Sequence, residues 1–198
     1  ICLSGKCFAQ ILQSPRLPTQ AAPQPAVMPI MPSMLPAPLP ANDDERLRAL
    51  RELLILDTPP EQRFDRIVAF AAEEFEVPIA LLSLVDRNRQ WFKARIGLDV
   101  CETGRDISFC GHAIVSDDTL LIPDTLADPR FADNPLVTEA PFIRFYAGAP
   151  LQPQPGLRVG TLCLIDTRPR QFDAMDLAIL ASLRDLAEAE LLGQSLEP

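Results

Sequence analysis

Few residues in the sequence are able to do chemistry, and three of them lie close together: Cys101, Cys110 and His112. A thiol beside an imidazole suggests nucleophilic catalysis, because the base would take the proton from sulfur. Cys110 and His112 are two apart, however, and on a helix such residues point to different sides. His112 is the sole histidine. It reads as a half-buried helix residue bonded locally, with donation to a bound ligand as the functional alternative. Cys101, Cys110, His112 and Cys163 could supply four metal ligands, but no pair has the Cys-x-x-Cys spacing, so no metal site is expected. There is no Gly-rich phosphate loop, no Ser/His/Asp set and no pair of facing acids. Asp124, Asp128 and Asp133 read as turn and cap residues. No catalytic residue is assigned, and the chain is not expected to be an enzyme.

Arg144 and Tyr146 are the other candidates. Strand alternation places them on one face, with Ile143, Phe145 and Ala147 on the other. The apolar set is expected to meet the terminal helices. A guanidinium keeps its proton, so a buried Arg144 requires an anionic partner. That partner is either an aspartate of the preceding loop or an acidic group of a ligand, with His112 or Tyr146 as a second donor.

The elements that must position these residues begin at residue 42. Asn42-Asp43-Asp44-Glu45 suggests a cap and an acidic first turn, opening a helix over 43–56. Thr58 and Glu61 suggest a capping box with Pro59 at the first helical position. Phe64, Ile67, Val68, Ala71 and Phe75 make the stripe of a second helix. Residues 79–85 read as a buried central strand. Residues 90–96 alternate, with Phe92, Ala94 and Ile96 on one face and Trp91, Lys93 and Arg95 on the other. A short helix over 107–116, a strand over 120–122 and a long irregular connection over 124–141 follow. A second hairpin spans 143–165, and residues 172–192 form the longest helix. The apolar positions of that helix spill beyond one stripe, which suggests two packing partners.

The chain has 198 residues, 47% of them hydrophobic, which is enough for one domain with a core that needs no disulfide. Its formal charge of −9 repels phosphate backbones, so nucleic acid is not expected as a partner. Residues 1–40 hold nine of the 21 prolines and read as an arm, disordered in preference to a strap packed on a neighbouring surface. The segment from 15 to 40 is expected to be extended and polyproline-like. Cys7 follows no basic region or long apolar run, so no secretion signal is read. No apolar run reaches the length of a membrane span. Five cysteines without such a signal point to a reducing cytoplasm.

Four ordered blocks carry a family resemblance: Ser108-Phe109-Cys110-Gly111-His112-Ala113-Ile114, then 127–135 (Ala-Asp-Pro-Arg-Phe-Ala-Asp-Asn-Pro), then 143–150 (Ile-Arg-Phe-Tyr-Ala-Gly-Ala-Pro), then 160–166 (Gly-Thr-Leu-Cys-Leu-Ile-Asp). Over about residues 41–193 the chain resembles a GAF domain of the bacterial subgroup joined to histidine kinases and diguanylate cyclases. The resemblance implies an α+β fold. An antiparallel sheet of five or six strands would carry the terminal helices on one face and a loop-roofed pocket on the other. It implies domains of 1–40 (arm) and 41–198 (GAF). Candidate ligand contacts are Phe109, Cys110 and His112 of the short helix, Asp124, Phe131 and Asn134 of the long connection, and Arg144 and Tyr146 beyond it. Phe142 departs from the subgroup, which commonly has histidine there.

The function expected on this resemblance is a small-molecule-sensing regulatory module in bacterial signal transduction, shifting its terminal helices on binding. The ligand is unidentified, an anionic molecule being one reading and an internal aspartate partner for Arg144 the preferred one; no cofactor is named. A homodimer through the terminal helices is expected, with a separate kinase or cyclase as partner, since the last helix ends close to Pro198. The alternatives are a free methionine sulfoxide reductase on the same fold and a dimerisation module with an empty pocket. The reductase family places a cysteine before a Cys-Gly-x-Ala motif, as Cys101 stands before Cys110, but its nucleophilic cysteine has no counterpart in 124–141.

Overall fold

Continuous apolar runs make strands that are covered on both faces. β1 (Ile79–Val85) and β6 (Gly160–Asp166) are buried along their whole length and pair at the centre of the sheet. The structure, a computed structural model, describes residues 34–193. Its other strands are β2 (Arg89–Ile96), β3 (Glu102–Gly104), β4 (Leu120–Ile122) and β5 (Phe145–Leu151). The six strands lie in the order β3-β2-β1-β6-β5-β4, and every pairing is antiparallel. The helices are α1 (Asp43–Glu52), α2 (Gln62–Glu74), α3 (Phe109–Ala113), α4 (Pro135–Thr138) and α5 (Ala174–Leu191). No helix among the described residues is long and apolar enough to cross a membrane.

The strand period of two divides the core in two. On one face Ala80, Leu82, Leu84, Phe145, Ala147, Leu162 and Leu164 meet Leu50 of α1, Phe64 and Val68 of α2, and Leu180 and Leu183 of α5. Each buried leucine, valine or phenylalanine among them contributes about 1.5–3 kcal/mol. On the other face Leu81, Tyr146, Cys163 and Ile165 meet Phe109 and Ala113 of α3 and Phe131 of the long connection.

Several local expectations are corrected. Phe92 and Ala94 do not share a face. Ser83 pairs with Phe92 and Leu82 with Ala94, so Lys93 is an extra residue bulged from β2. The bulge turns Phe92 toward the α3 side and Ala94 toward α2 and α5. Ile143 does not join Phe145 and Ala147, because it precedes β5 and lies in the α3-side core. Asn42 caps nothing; its Nδ2 donates to the Gly156 carbonyl at 3.0 Å. Thr58 and Glu61 form no capping box, since both hold the Lys93 ammonium. The acidic cap that does form is at α5, where Asp173 and Asp176 bond each other's backbone N–H. The helix beside α5 is α2, where Arg63 donates to the Glu190 carbonyl at 2.5 Å. α1 instead lies at the β1–β2 turn, with Arg46 donating to the Val85 carbonyl.

The described part of the proline-rich segment, 34–40, runs across α3. Ala37 N–H donates to the Asp106 carbonyl at 3.0 Å. Gly111 is required beneath it, since a Cβ there would stand 2.6 Å from the Ala37 Cβ. The rest of that segment, with Cys2 and Cys7, lies outside the described residues.

Candidate functional site

α3 exists because Ser108 caps it, accepting from Gly111 N–H at 2.8 Å. The same hydroxyl donates to Gln90 Oε1 at 2.6 Å, and Gln90 Nε2 donates to Thr103 Oγ1 at 2.7 Å. This chain ties α3 to β2 and β3. Phe109 then projects over the sheet and stacks on Phe131 at 4.3 Å and on Tyr146 at 5.1 Å. Between α3, the sheet and the end of the long connection lies a cavity of about 390 Å³.

Its wall is mostly apolar, with Leu81, Phe92, Ile143 and Ile165 around it and Leu98 and Val100 at the rim. The polar groups facing it are Gln90, Thr103, Cys110, Tyr146 and the rim carboxylate of Asp99. No lysine, arginine or histidine is among its lining residues.

Beneath the cavity lies a small polar nest. Tyr146 Oη donates to Cys110 Sγ at 3.4 Å, and Cys110 Sγ stands 3.7 Å from Cys163 Sγ. The hydroxyls of Ser83 and Thr161, cross-strand neighbours on β1 and β6, are buried beside them with no hydrogen-bond partner among the described residues. Burial pushes the Cys110 thiol up; the polar side chains of Cys163, Thr161, Tyr146 and Ser83 around it outweigh burial and bring the thiol below its ordinary value. The bond to Cys110, together with burial, holds Cys163 well above the ordinary thiol value. Burial, then the neighbouring sulfurs, also raises Tyr146. Gly148 makes room for this arrangement: a Cβ there would stand 2.2 Å from Tyr146 Oη.

Of the eight residues singled out in the sequence, Phe109, Cys110 and Tyr146 line the cavity. Phe131 is fully buried behind Phe109, and His112 is half-buried with its ring edge on Phe131 at 4.8 Å. Burial holds His112 below the ordinary imidazole value, against the opposing effect of the Leu35 backbone. Asn134 is structural, capping α4 and donating to the Ile107 carbonyl at 2.9 Å. Arg144 and Asp124 stand apart from the cavity. They meet in a two-pronged pair at 3.0 and 2.9 Å, each about a third exposed. The guanidinium holds the Asp124 carboxyl below the usual range. Asp128 forms a similar pair with Arg130 at 2.6 Å.

A family model described as "GAF domain" matches residues 59–191. The chain belongs to the GAF domain family. The GAF domain described above also matches a cyclic di-GMP phosphodiesterase of Pseudomonas aeruginosa, with 42% identity over 159 residues. That match takes in 80% of this chain, and the chain spans only 27% of the relative's length. Among solved structures, the GAF domain of an Acinetobacter phosphoenolpyruvate-protein phosphotransferase superposes with a TM-score of 0.57 at 16% identity, covering 81% of this chain and 99% of that one. A free methionine-R-sulfoxide reductase from Neisseria meningitidis, solved with its substrate, superposes with a TM-score of 0.55 at 20% identity, covering 82% of this chain and 100% of that one. These two likenesses are of fold.

The expectation that the protein is no enzyme is corrected by the Pseudomonas relative, whose name is that of an enzyme. The expectation rested on the reactive residues of these 198 positions, which match about a quarter of that protein.

Sequence reasoning missed most of the cavity wall. Phe92 faces it only because of the Lys93 bulge, and Ile143 only because β5 starts two residues later than the alternation suggests. The approach of Cys163 to Cys110 did carry a signal, since alternation from the buried Leu162 and Leu164 puts Cys163 on the α3 side.

Proposed function

We propose that this GAF domain is the small-molecule-sensing regulatory part of a cyclic di-GMP phosphodiesterase-type signalling protein, and that its ligand is uncharged and largely apolar. The observation carrying the ligand class is the cavity wall. It offers aromatic and aliphatic surface with a few hydrogen-bonding groups and, among the described residues, no cation. An anionic ligand would be desolvated there without a partner. Arg144, the cation first suspected, is spent on Asp124.

Binding would act by population shift. A ligand that fits one arrangement of α3 and the long connection favours the sheet packing that goes with it, and α2 and α5 lie on the opposite face of the same strands. The cytoplasm fits this role. A homodimer is part of the same proposal, because Phe70 of α2 and Met175 and Leu192 at the ends of α5 are exposed apolar side chains on the helices that would pair. A monomeric mass by light scattering at tens of micromolar would rule the dimer out. The reductase reading is not favoured, since 124–141 contains no cysteine.

The test uses the neutral fluorophore N-phenyl-1-naphthylamine. The wild type is expected to bind it with enhanced emission, and Leu98→Trp, which fills the rim, to bind it at least tenfold more weakly. Equal binding by both proteins would overturn the cavity as the site, and tighter binding of a sulfonated analogue would overturn the ligand class.

A further inference from the structure

We propose that Cys110 and Cys163 form a dithiol site oxidised by hydroperoxides that enter through the cavity, closing a reversible disulfide between α3 and the central strand β6. The two sulfurs are 3.7 Å apart and both fully buried, yet Cys110 forms part of the cavity wall. A small uncharged oxidant such as hydrogen peroxide can therefore reach Cys110 from the cavity side, while Cys163 lies behind it on the strand.

The surroundings suit the chemistry. Two thiols and three hydroxyls (Tyr146, Ser83 and Thr161) are gathered on a floor that is otherwise aliphatic and aromatic. Two of those hydroxyls have no hydrogen-bond partner among the described residues. Buried hydroxyls without a partner are costly, and a negatively charged sulfur among them removes that cost.

The first step is attack of the Cys110 thiolate on one peroxide oxygen. The O–O bond breaks, and the leaving oxygen departs as water, carrying the proton that Cys110 gave up. Cys110 is then a sulfenic acid. In the second step the Cys163 sulfur attacks the Cys110 sulfur. The S–O bond breaks, and the hydroxide leaves as a second water with the proton of Cys163. Two thiols lose two electrons, and one hydrogen peroxide becomes two waters. The S–S separation must close from 3.7 Å to about 2.05 Å. That draws α3 toward β6 and changes the roof of the cavity, so the oxidation state and the cavity are coupled.

The test treats the full wild-type chain with millimolar hydrogen peroxide and maps disulfides by mass spectrometry of unreduced peptides. The expected product is a Cys110–Cys163 peptide pair, abolished by dithiothreitol. Cys163→Ser should stop at a Cys110 sulfenic acid that dimedone traps, and Cys110→Ser should leave Cys163 unmodified. Tyr146→Phe should slow the reaction several-fold. Disulfides confined to Cys2, Cys7 and Cys101, or dimedone labelling of Cys163 in Cys110→Ser, would overturn the proposal. So would unreacted Cys110 and Cys163 under conditions that oxidise Cys101. Because the wild type carries the decisive readout, instability of a variant does not obscure the answer. Dye binding is measured separately, so failure of the ligand reading leaves this result standing.

Discussion

Lys93 Nζ stands 2.6 Å from Glu61 Oε1, with no part of the lysine side chain exposed. The ammonium also donates to Thr58 Oγ1 at 2.7 Å and to the Pro59 carbonyl at 2.8 Å, and it lies 5.5 Å from the centre of the Phe64 ring. The bulge in β2 thus turns a charged residue inward to hold the loop before α2. Strand alternation groups this residue with Trp91 and Arg95, and the sequence reads Thr58 and Glu61 as a helix cap.

Lys93→Met keeps the apolar stem and removes every one of these bonds. Glu61 is more than a third exposed and can turn to water, so the cost stays below that of a fully buried pair. Stability is expected to fall by about 1–3 kcal/mol. Thermal melting should show a drop of about 2–12 °C, at some 2–4 °C per kcal/mol for a domain of this size. An unchanged melt would mean that the ammonium contributes nothing net.

Asp43 lies between two buried guanidiniums. Arg46 Nη2 and Arg105 Nη2 donate to its Oδ1 at 2.9 and 3.0 Å, and the two arginine side chains are 1% and 5% exposed. Burial alone would raise the carboxyl; the bonds from Arg105 and Arg46 outweigh it and hold the value below the ordinary 3.8. A carboxyl with a lowered folded value stabilises fully above its unfolded value and loses that contribution as the pH falls through the folded one. Acid unfolding should therefore steepen below the ordinary carboxylate range. Asp43→Asn should lose about 3–5 kcal/mol at neutral pH, because two buried charges lose their partner. The difference between variant and wild type should shrink on acidification, and chemical denaturation at several pH values checks both.

The antiparallel sheet of five or six strands, the helix-covered face and the pocket side were legible because they rest on long patterns, while the three-residue β3 left no such pattern. Runs such as 79–85 and 162–165 are apolar at nearly every position, and burial on both faces leaves them no other place. What failed were one-residue effects. Lys93 breaks the register of β2 without any mark in composition, so Phe92 and Ala94 part to opposite faces. Asn42 has a cap's side chain but finds the Gly156 carbonyl, 114 residues away, in preference to its own helix. Of the candidate site, Phe109, Cys110 and Tyr146 could be found from motif and alternation. Arg144 had the expected kind of partner, yet the pair lies outside the cavity.

Gly148 faces Cys163 across β5 and β6, and the Tyr146 ring lies over it. Gly148→Ala would put a methyl 2.2 Å from Tyr146 Oη in a fully buried place. The ring must move, and the bond to Cys110 breaks. The expected loss is about 1–3 kcal/mol, as for other overpacked cores. The tyrosine is the sole one in the chain, so its ultraviolet absorbance is a direct probe. Burial holds its pKa well above 10, and the variant should titrate at lower pH than the wild type.

Arg144→Ala should leave the melting temperature close to that of the wild type. Arg144 and Asp124 are each about a third exposed, and water can replace each partner. N-phenyl-1-naphthylamine binding should also be unchanged, since neither residue lines the cavity. Loss of dye binding in a variant with a normal melt would restore Arg144 as a ligand contact.

The stretch 34–40 covers α3, and a chain begun at residue 34 can be compared with one begun at 41. The second lacks the bond from Ala37 N–H to the Asp106 carbonyl and the cover that Ala37 gives Gly111. Leu35 and Leu39 are more than half exposed, so the apolar loss is small. The melting temperature should fall by about 2–6 °C, since about 1 kcal/mol shifts a domain of this size by some 2–4 °C. His112 gives a sharper readout, because it is the sole histidine and yields one titration curve by proton NMR. In the longer chain burial holds it below 6.5, against the effect of the Leu35 backbone. Burial is the larger cause, so uncovering the ring should raise its pKa toward 6.5 even as the Leu35 contact goes. The sign of the linked stability follows. A histidine with a lowered folded value leaves stability intact above its unfolded value and costs stability as the pH falls through 6.5 toward the folded value. The longer chain should lose stability over that window, and the chain begun at 41 should lose less. An identical His112 titration in both chains would mean that residues 34–40 do not cover the ring.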